Sequence, residues 1–214
     1  MTTLIFVRHG QSESNLERRF TGQHETSLTE LGRAQAAATA DFLANEPIDR
    51  IYASDLSRAI ETAEPTARMH GLTVIPCPDF REINAGLWEG KLYDYLRETF
   101  GASYERWITD LGHAHPEGGE RVLELAARVY AATERILTEE RGRTVAIFTH
   151  ATPVRMLACR WFGIAPENAR EVPFCTNASV SKVEYDDDGS FRLIYYAHDG
   201  HQGELVTGLP KGVV

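Results

Sequence analysis

The chain has 214 residues, 43% of them hydrophobic and 25% charged, with a formal net charge of −9. This length suits one α/β domain that buries its core without disulfides or a structural metal. The acidic balance argues against a nucleic-acid backbone as partner, because that requires clustered Lys and Arg, and no apolar run approaches a membrane span.

Met1 to Val7 lead straight into Arg8 and His9, with no basic n-region or cleavage site, so no secretory signal is expected. Cys77, Cys159 and Cys175 form no CxxC pair, which fits a reducing, cytoplasmic setting. A small phosphate substrate is compatible with the negative total charge, since it responds to the local field of a cleft.

In chain order, Leu4 to Val7 reads as a buried strand. A helix is predicted from about Thr29 to Ala44, with Thr29 as its cap. Ile51 to Ala53 is a short strand, followed by a helix from about Leu56 to His70 that Gly71 stops. Pro65 inside that helix predicts a kink or an early end. Thr73 to Pro76 makes another short strand. Residues 79–119 carry Gly86, Gly90, Gly101, Gly112, Gly118 and Gly119 and read as an irregular lid or specificity region. Short helical pieces are expected within it, at Tyr93 to Thr99 and Tyr104 to Asp110. A long helix follows from about Glu120 to Arg141, then a buried strand at Val145 to Phe148 and a helix to Phe162. Val180 to Tyr185 and Phe191 to Tyr196 flank Asp186-Asp187-Asp188-Gly189, a hairpin signal. Apolar strands alternating with helical patterns predict one three-layer α/β/α domain over 1–214 with a mostly parallel central sheet.

Three of these strands lead into reactive or cationic residues. Arg8-His9-Gly10 follows the first, Ser54 and then Arg58 follow the second, and Thr149-His150 follows the strand at Val145. Ligands of open α/β sheets bind outside the carboxyl ends of the strands. If these strands are parallel neighbours, His9, His150, Arg8 and Arg58 converge on one anion site. Arginine forks match phosphate oxygens and keep their charge. Cations beside His9 hold its imidazole neutral and nucleophilic, and histidine can carry a group covalently. A leaving alkoxide needs a proton donor, and Glu82 is the candidate among 31 acidic residues.

These residues resemble the histidine phosphatase superfamily, the phosphoglycerate-mutase-like family. The resemblance lies in Arg8 to Asn15 with Phe20-Thr21-Gly22, in Leu28 to Ala36, and in Ile51 to Ala59 with Thr62-Ala63. It continues through Arg81-Glu82-Ile83 with Gly86 to Gly90, and Thr149-His150. It implies a phosphorylated nucleophile at His9, a phosphate pocket completed by Arg8, Arg58 and His150, and a proton donor at Glu82. It further implies that Asn15, Thr21 and Gly22 border the substrate and that no metal or organic cofactor is needed. Ala151 stands where the family usually has glycine, so its amide faces phosphate while its methyl narrows the pocket. Arg121 stands where the family has serine, as a rim cation or a solvated helix residue.

The mutase branch carries a longer cationic insertion after the glutamate region, and Ile83 to Gly90 lacks it. The expected activity is therefore metal-independent hydrolysis of a small phosphorylated metabolite. A phosphoglycerate mutase and a non-catalytic phospholigand sensor are the alternatives. The oligomeric state is left open, a homodimer included. His24, His113, His115, His198 and His201 show no ligand spacing for zinc. Trp88 and Trp107 read as packing residues, either able to line a lid.

Overall fold

The computed structural model describes residues 1–208; positions 209–214 of the expected domain lie outside the described residues. Six strands form one sheet: β1 (Thr2–Arg8), β2 (Arg50–Ala53), β3 (Val74–Pro76), β4 (Thr144–Thr149), β5 (Val180–Tyr185) and β6 (Phe191–His198). Their spatial order is β3-β2-β4-β1-β5-β6. The first four run parallel, while β5 and β6 are added antiparallel to β1 and to each other. The hairpin between β5 and β6 turns at the predicted aspartates, where Asp188 accepts from Ser190 N at 2.9 Å.

Alternation along the strands feeds two cores, because successive side chains point to opposite faces. Leu4, Phe6, Val145 and Ile147 pack under the helices α5 (Val122–Glu139) and α6 (Ala151–Phe162). Ile5, Val7, Ala146 and Phe148 face the opposite layer, with Leu43 of α2 (Glu30–Leu43) and Ala63 of α3 (Ser57–His70). The result is the expected three-layer arrangement.

One local expectation needs correction. Helix α3 runs through Pro65 to His70 without a break. Pro65 removes one donor, but Arg58, Ala59, Thr62, Ala63, Thr66 and Ala67 are buried and hold the helix on both sides of it. The pieces expected within residues 79–119 are both present. The two helical pieces join as α4 (Tyr93–Thr109), with a non-helical Gly101 at φ 19° marking the kink between them. An aromatic cluster anchors α4: Trp88 is fully buried and meets Tyr104, Phe100 and Trp107 at ring centroids of 5.7, 5.9 and 6.2 Å.

The loop after β1 is fixed by backbone-to-backbone contact with the start of α2. Thr29 caps α2 by accepting from Gly32 N at 3.0 Å, and its own N–H donates to Gln11 O at 2.9 Å. A Cβ on Gly32 would stand 2.0 Å from Gln11 O, and one on Gly10 would stand 2.5 Å from Gly32 O. Side chains at these positions would force apart the segment that carries His9. Gly32→Ala is expected to destabilise the fold by about 1–3 kcal/mol, the usual cost of overpacking, and to lower activity at the same time. Thermal melts and turnover of the same preparation check both; unchanged values would mean that this contact does not hold the loop.

Candidate active site

Parallel pairing brings the strand ends together. Arg8 at the end of β1 is in register with Thr149 at the end of β4, and Ala53 of β2 is in register with Phe148. His9 and His150 each follow one of the two adjacent strands, and their ring centroids are 5.2 Å apart. Ser54 follows β2 and Arg58 lies in the first turn of α3. The predicted convergence is therefore present, at the carboxyl ends of β1, β2 and β4.

His9 is 4% exposed. Its Nδ1 lies 2.7 Å from Gly10 O. A carbonyl only accepts, so Nδ1 carries the proton and Nε2 keeps the lone pair. Burial first, then Arg58 and Arg8, holds the imidazole well below the usual histidine range. His9 is thus a neutral imidazole of fixed tautomer whose Nε2 carries the lone pair.

Arg58 is fully buried, and two carbonyls aim its guanidinium: Nη2 donates to Gly22 O at 2.7 Å and Nη1 to His24 O at 3.1 Å. The carboxylates that could have claimed it have other partners, Asp55 on Arg81 and Glu61 on Arg33. Arg8 donates to Cys175 O at 2.6 Å and lies over the Phe174 ring. The Nε of each arginine is buried without a partner. Ser54 Oγ sits 2.8 Å from His150 Nε2, while His150 Nδ1 is buried and unpartnered. Burial, then Arg58 and His9, pushes His150 well below its ordinary value. Buried donors without acceptors are costly, and an anion with several oxygens would satisfy them together.

Glu82 lines the same cleft. Its carboxylate accepts from Ile83 N at 2.8 Å and from Thr152 N at 3.2 Å, in the first turn of α6. Asn15, Thr21, Gly22 and Ala151 also line the cleft. Ser12 caps the short helix α1 (Glu13–Leu16), and Asn15 is the reciprocal half of that capping box, so it serves both the turn and the cleft. Gly22 has φ 52°, and a Cβ there would meet the Ala85 methyl at 2.8 Å. Ala151 is half-buried at the first position of α6, beside the Thr152 N–H that donates to Glu82. Arg121 is exposed at the start of α5 and away from the cleft. Among the described residues no three His, Cys, Asp or Glu side chains form a metal-binding group, and no helix is long and apolar enough to cross a membrane.

Several residues of the site went unread in the sequence. Asn177 Nδ2 donates to His9 O at 3.1 Å and to Asn15 Oδ1 at 3.2 Å, tying the nucleophile's backbone to the opposite wall. Thr62 Oγ accepts from Gly10 N at 3.0 Å and donates to Arg58 O at 2.7 Å. Arg128 donates to the carbonyls of Asp79, Arg81 and Glu82 at 2.8, 2.8 and 3.0 Å, and so sets the segment that presents Glu82. Phe20, Tyr93 and Trp107 form an aromatic side of the cleft. Asn177 lies 168 positions from His9 with no motif around it, so nothing local could have shown it.

The family model for the histidine phosphatase superfamily (branch 1) matches residues 4–197. Phosphoserine phosphatase 1 of Hydrogenobacter thermophilus is 31% identical over 87% of this chain and 88% of its own length. A Yersinia pestis protein with the name "Probable phosphoglycerate mutase GpmB" is also 31% identical, over 87% of this chain and 86% of its own. The solved structure of mycobacterial glucosyl-3-phosphoglycerate phosphatase Rv2419c with VO3 superposes at a TM-score of 0.85. It is 28% identical and covers 92% of this chain and 99% of that one.

The depressed histidines carry a pH signature. The unfolded chain binds protons at His9 and His150 below about pH 6.5, where the folded protein does not. More protons on the unfolded state means that stability rises with pH through that interval and is lost as pH falls. The melting temperature of the ligand-free protein should therefore drop between pH 7.5 and 5, and less steeply in His9→Asn. Equal slopes in the two proteins would contradict the assignment.

Proposed function

The chain belongs to the histidine phosphatase superfamily, and from that premise we propose that it is a phosphatase acting on a small phosphomonoester through phosphorylated His9. The observation that carries this is the Nδ1 contact of His9 with Gly10 O at 2.7 Å, which commits Nε2 to the cleft as a lone-pair donor. Arg8, Arg58 and His150 hold the phosphate oxygens as Nε2 attacks phosphorus. Charge spreads over those oxygens in the transition state, where fixed cations in a dry pocket stabilise it most. The phosphorus–nitrogen bond forms as the bond to the leaving oxygen breaks, and Glu82 gives that oxygen a proton. The resulting Glu82 carboxylate then takes a proton from water, whose oxygen bonds phosphorus as the phosphorus–Nε2 bond breaks, releasing phosphate and the imidazole.

No step here requires a metal or an organic cofactor. The cleft has a volume of about 140 Å³; at roughly 10–15 Å³ per water on this measure, it holds on the order of ten waters. That space suits a metabolite of about as many heavy atoms. The partner is thus a small phosphorylated metabolite, not a nucleic acid, and residues 79–119 act as the specificity region through Ile83, Tyr93 and Trp107. Three free, buried cysteines fit a reducing, cytoplasmic setting. A mutase reading has the support of the mutase-named relative, and the two differ in what leaves the site.

His9→Ala should abolish phosphate release and labelling of the protein by a phosphate donor; full turnover in that variant would sink the reading. Glu82→Gln should reduce kcat by about 10²–10⁴-fold with leaving groups that need protonation. Given 3-phosphoglycerate with catalytic 2,3-bisphosphoglycerate, the protein should release phosphate without rapid isomer formation. Rapid isomerisation without free phosphate would establish the mutase instead.

A further inference from the structure

Three arginines are buried in this acidic chain: Arg58 at 0%, Arg155 at 6% and Arg8 at 7% exposure. All three line the cleft. They are also the arginines, among the described residues, whose Nε is buried without a hydrogen-bond partner. Elsewhere buried or half-buried arginines meet carboxylates, as Arg128 meets Glu120 at 2.7 Å and Arg81 meets Asp55 at 2.5 Å. Arg8 and Arg58 have a use in the reaction described above. Arg155 has none.

Arg155 lies on α6, one helical turn beyond Ala151 and on the same side of the helix as Ala151 and Thr152, which also line the cleft. Its guanidinium carbon is 5.2 Å from the Phe174 ring centroid, and that of Arg8 is 4.8 Å from the same centroid. The two cations therefore share one aromatic ring on the wall of the cleft, each guanidinium carbon within 5.2 Å of its centroid. The ring face offsets part of the cost of burying Arg155, but it accepts none of the hydrogen bonds that a guanidinium offers in its plane. Arg155 is thus a desolvated, always-charged fork lining the same cleft as His9, with no carboxylate partner among the described residues.

We propose that Arg155 binds a second anionic group of the substrate, a carboxylate carried a few atoms from the phosphate. This rests on the phosphatase reading and names the substrate class: a small phosphorylated carboxylic acid. A planar fork matches a carboxylate through two parallel hydrogen bonds. A second phosphate fits less well. Its larger charge would face one cation among the neutral Thr152, Thr176 and Asn177, with Glu82 in the same cleft.

Substrate pairs that differ only in the carboxylate test this: O-phosphoserine against O-phosphoethanolamine, and 3-phosphoglycerate against glycerol 3-phosphate. The wild-type protein should prefer the acid of each pair in kcat/KM. Arg155→Met should shrink that preference about 10- to 100-fold, the range expected for a hydrogen bond to a charged group, and Arg155→Lys should retain part of it. The subsite is overturned by a wild-type ratio near one, or by an Arg155→Met variant that slows both members of a pair equally. It is also overturned if the preference lost is for fructose 1,6-bisphosphate over fructose 6-phosphate. Calorimetric binding of the same pairs to His9→Ala, with and without Arg155→Met, separates this proposal from the one it rests on. Acid-selective binding that depends on Arg155, without phosphate release by the wild type, leaves the subsite and removes the phosphatase. Hydrolysis of p-nitrophenyl phosphate without acid selectivity does the reverse.

Discussion

Everything in this cleft depends on holding unpaired cations in a buried place. Removing a guanidinium from water costs roughly several kcal/mol, even after the protein relaxes. The chain offsets part of that cost with carbonyl oxygens instead of carboxylates. Gly22 and His24 accept from Arg58, and Cys175 accepts from Arg8. A carbonyl orients a guanidinium without neutralising it, so the positive field remains for a phosphate. The same field, together with burial, keeps both histidines neutral. Nucleophile and anion pocket are therefore two consequences of one arrangement of charge.

Three carboxylates of the chain are engaged by arginines outside the cleft. Asp55 is committed to Arg81, Glu61 to Arg33 and Glu120 to Arg128. Glu82 is the acid admitted to the cleft, and two backbone amides hold its oxygens. Arg128 reaches it indirectly, by gripping three carbonyls of the segment that carries it. Glu82 is thus positioned by a cation that does not pair with its carboxyl group directly.

Backbone strain gathers at the same place. Ala178 sits at φ 54°, unusual for a residue with a side chain, and its N–H donates to His9 O at 3.1 Å. Next to it, Asn177 ties that carbonyl to Asn15, while Gln202 donates to Asn177 O at 2.8 Å. The strand bearing the nucleophile is therefore gripped from the antiparallel side of the sheet, beside β5. With its carbonyl fixed twice and its Nδ1 held by Gly10 O, His9 has little freedom in where its ring points.

The sequence by itself determined the strands, most helix limits and the residues that follow β1, β2 and β4. Apolar runs, caps and glycine stops are local signals, and they act through the few residues around them. It also determined the His9, Arg8, Arg58 and His150 group, because parallel strands must end on one side of a sheet. Pro65 misled because its local cost is outweighed by a buried helix face, while the two pieces of α4 lie on either side of Gly101 as expected, held by an aromatic cluster. Only the tertiary structure decided the tautomer of His9, the engagement of Asp55 and Glu61 away from Arg58, and the arrival of Asn177, Arg128 and Arg155. Those depend on which distant groups meet in a space without water. There an arginine's meaning is set by the acceptors it lacks, and no spacing in the chain records an absence of that kind.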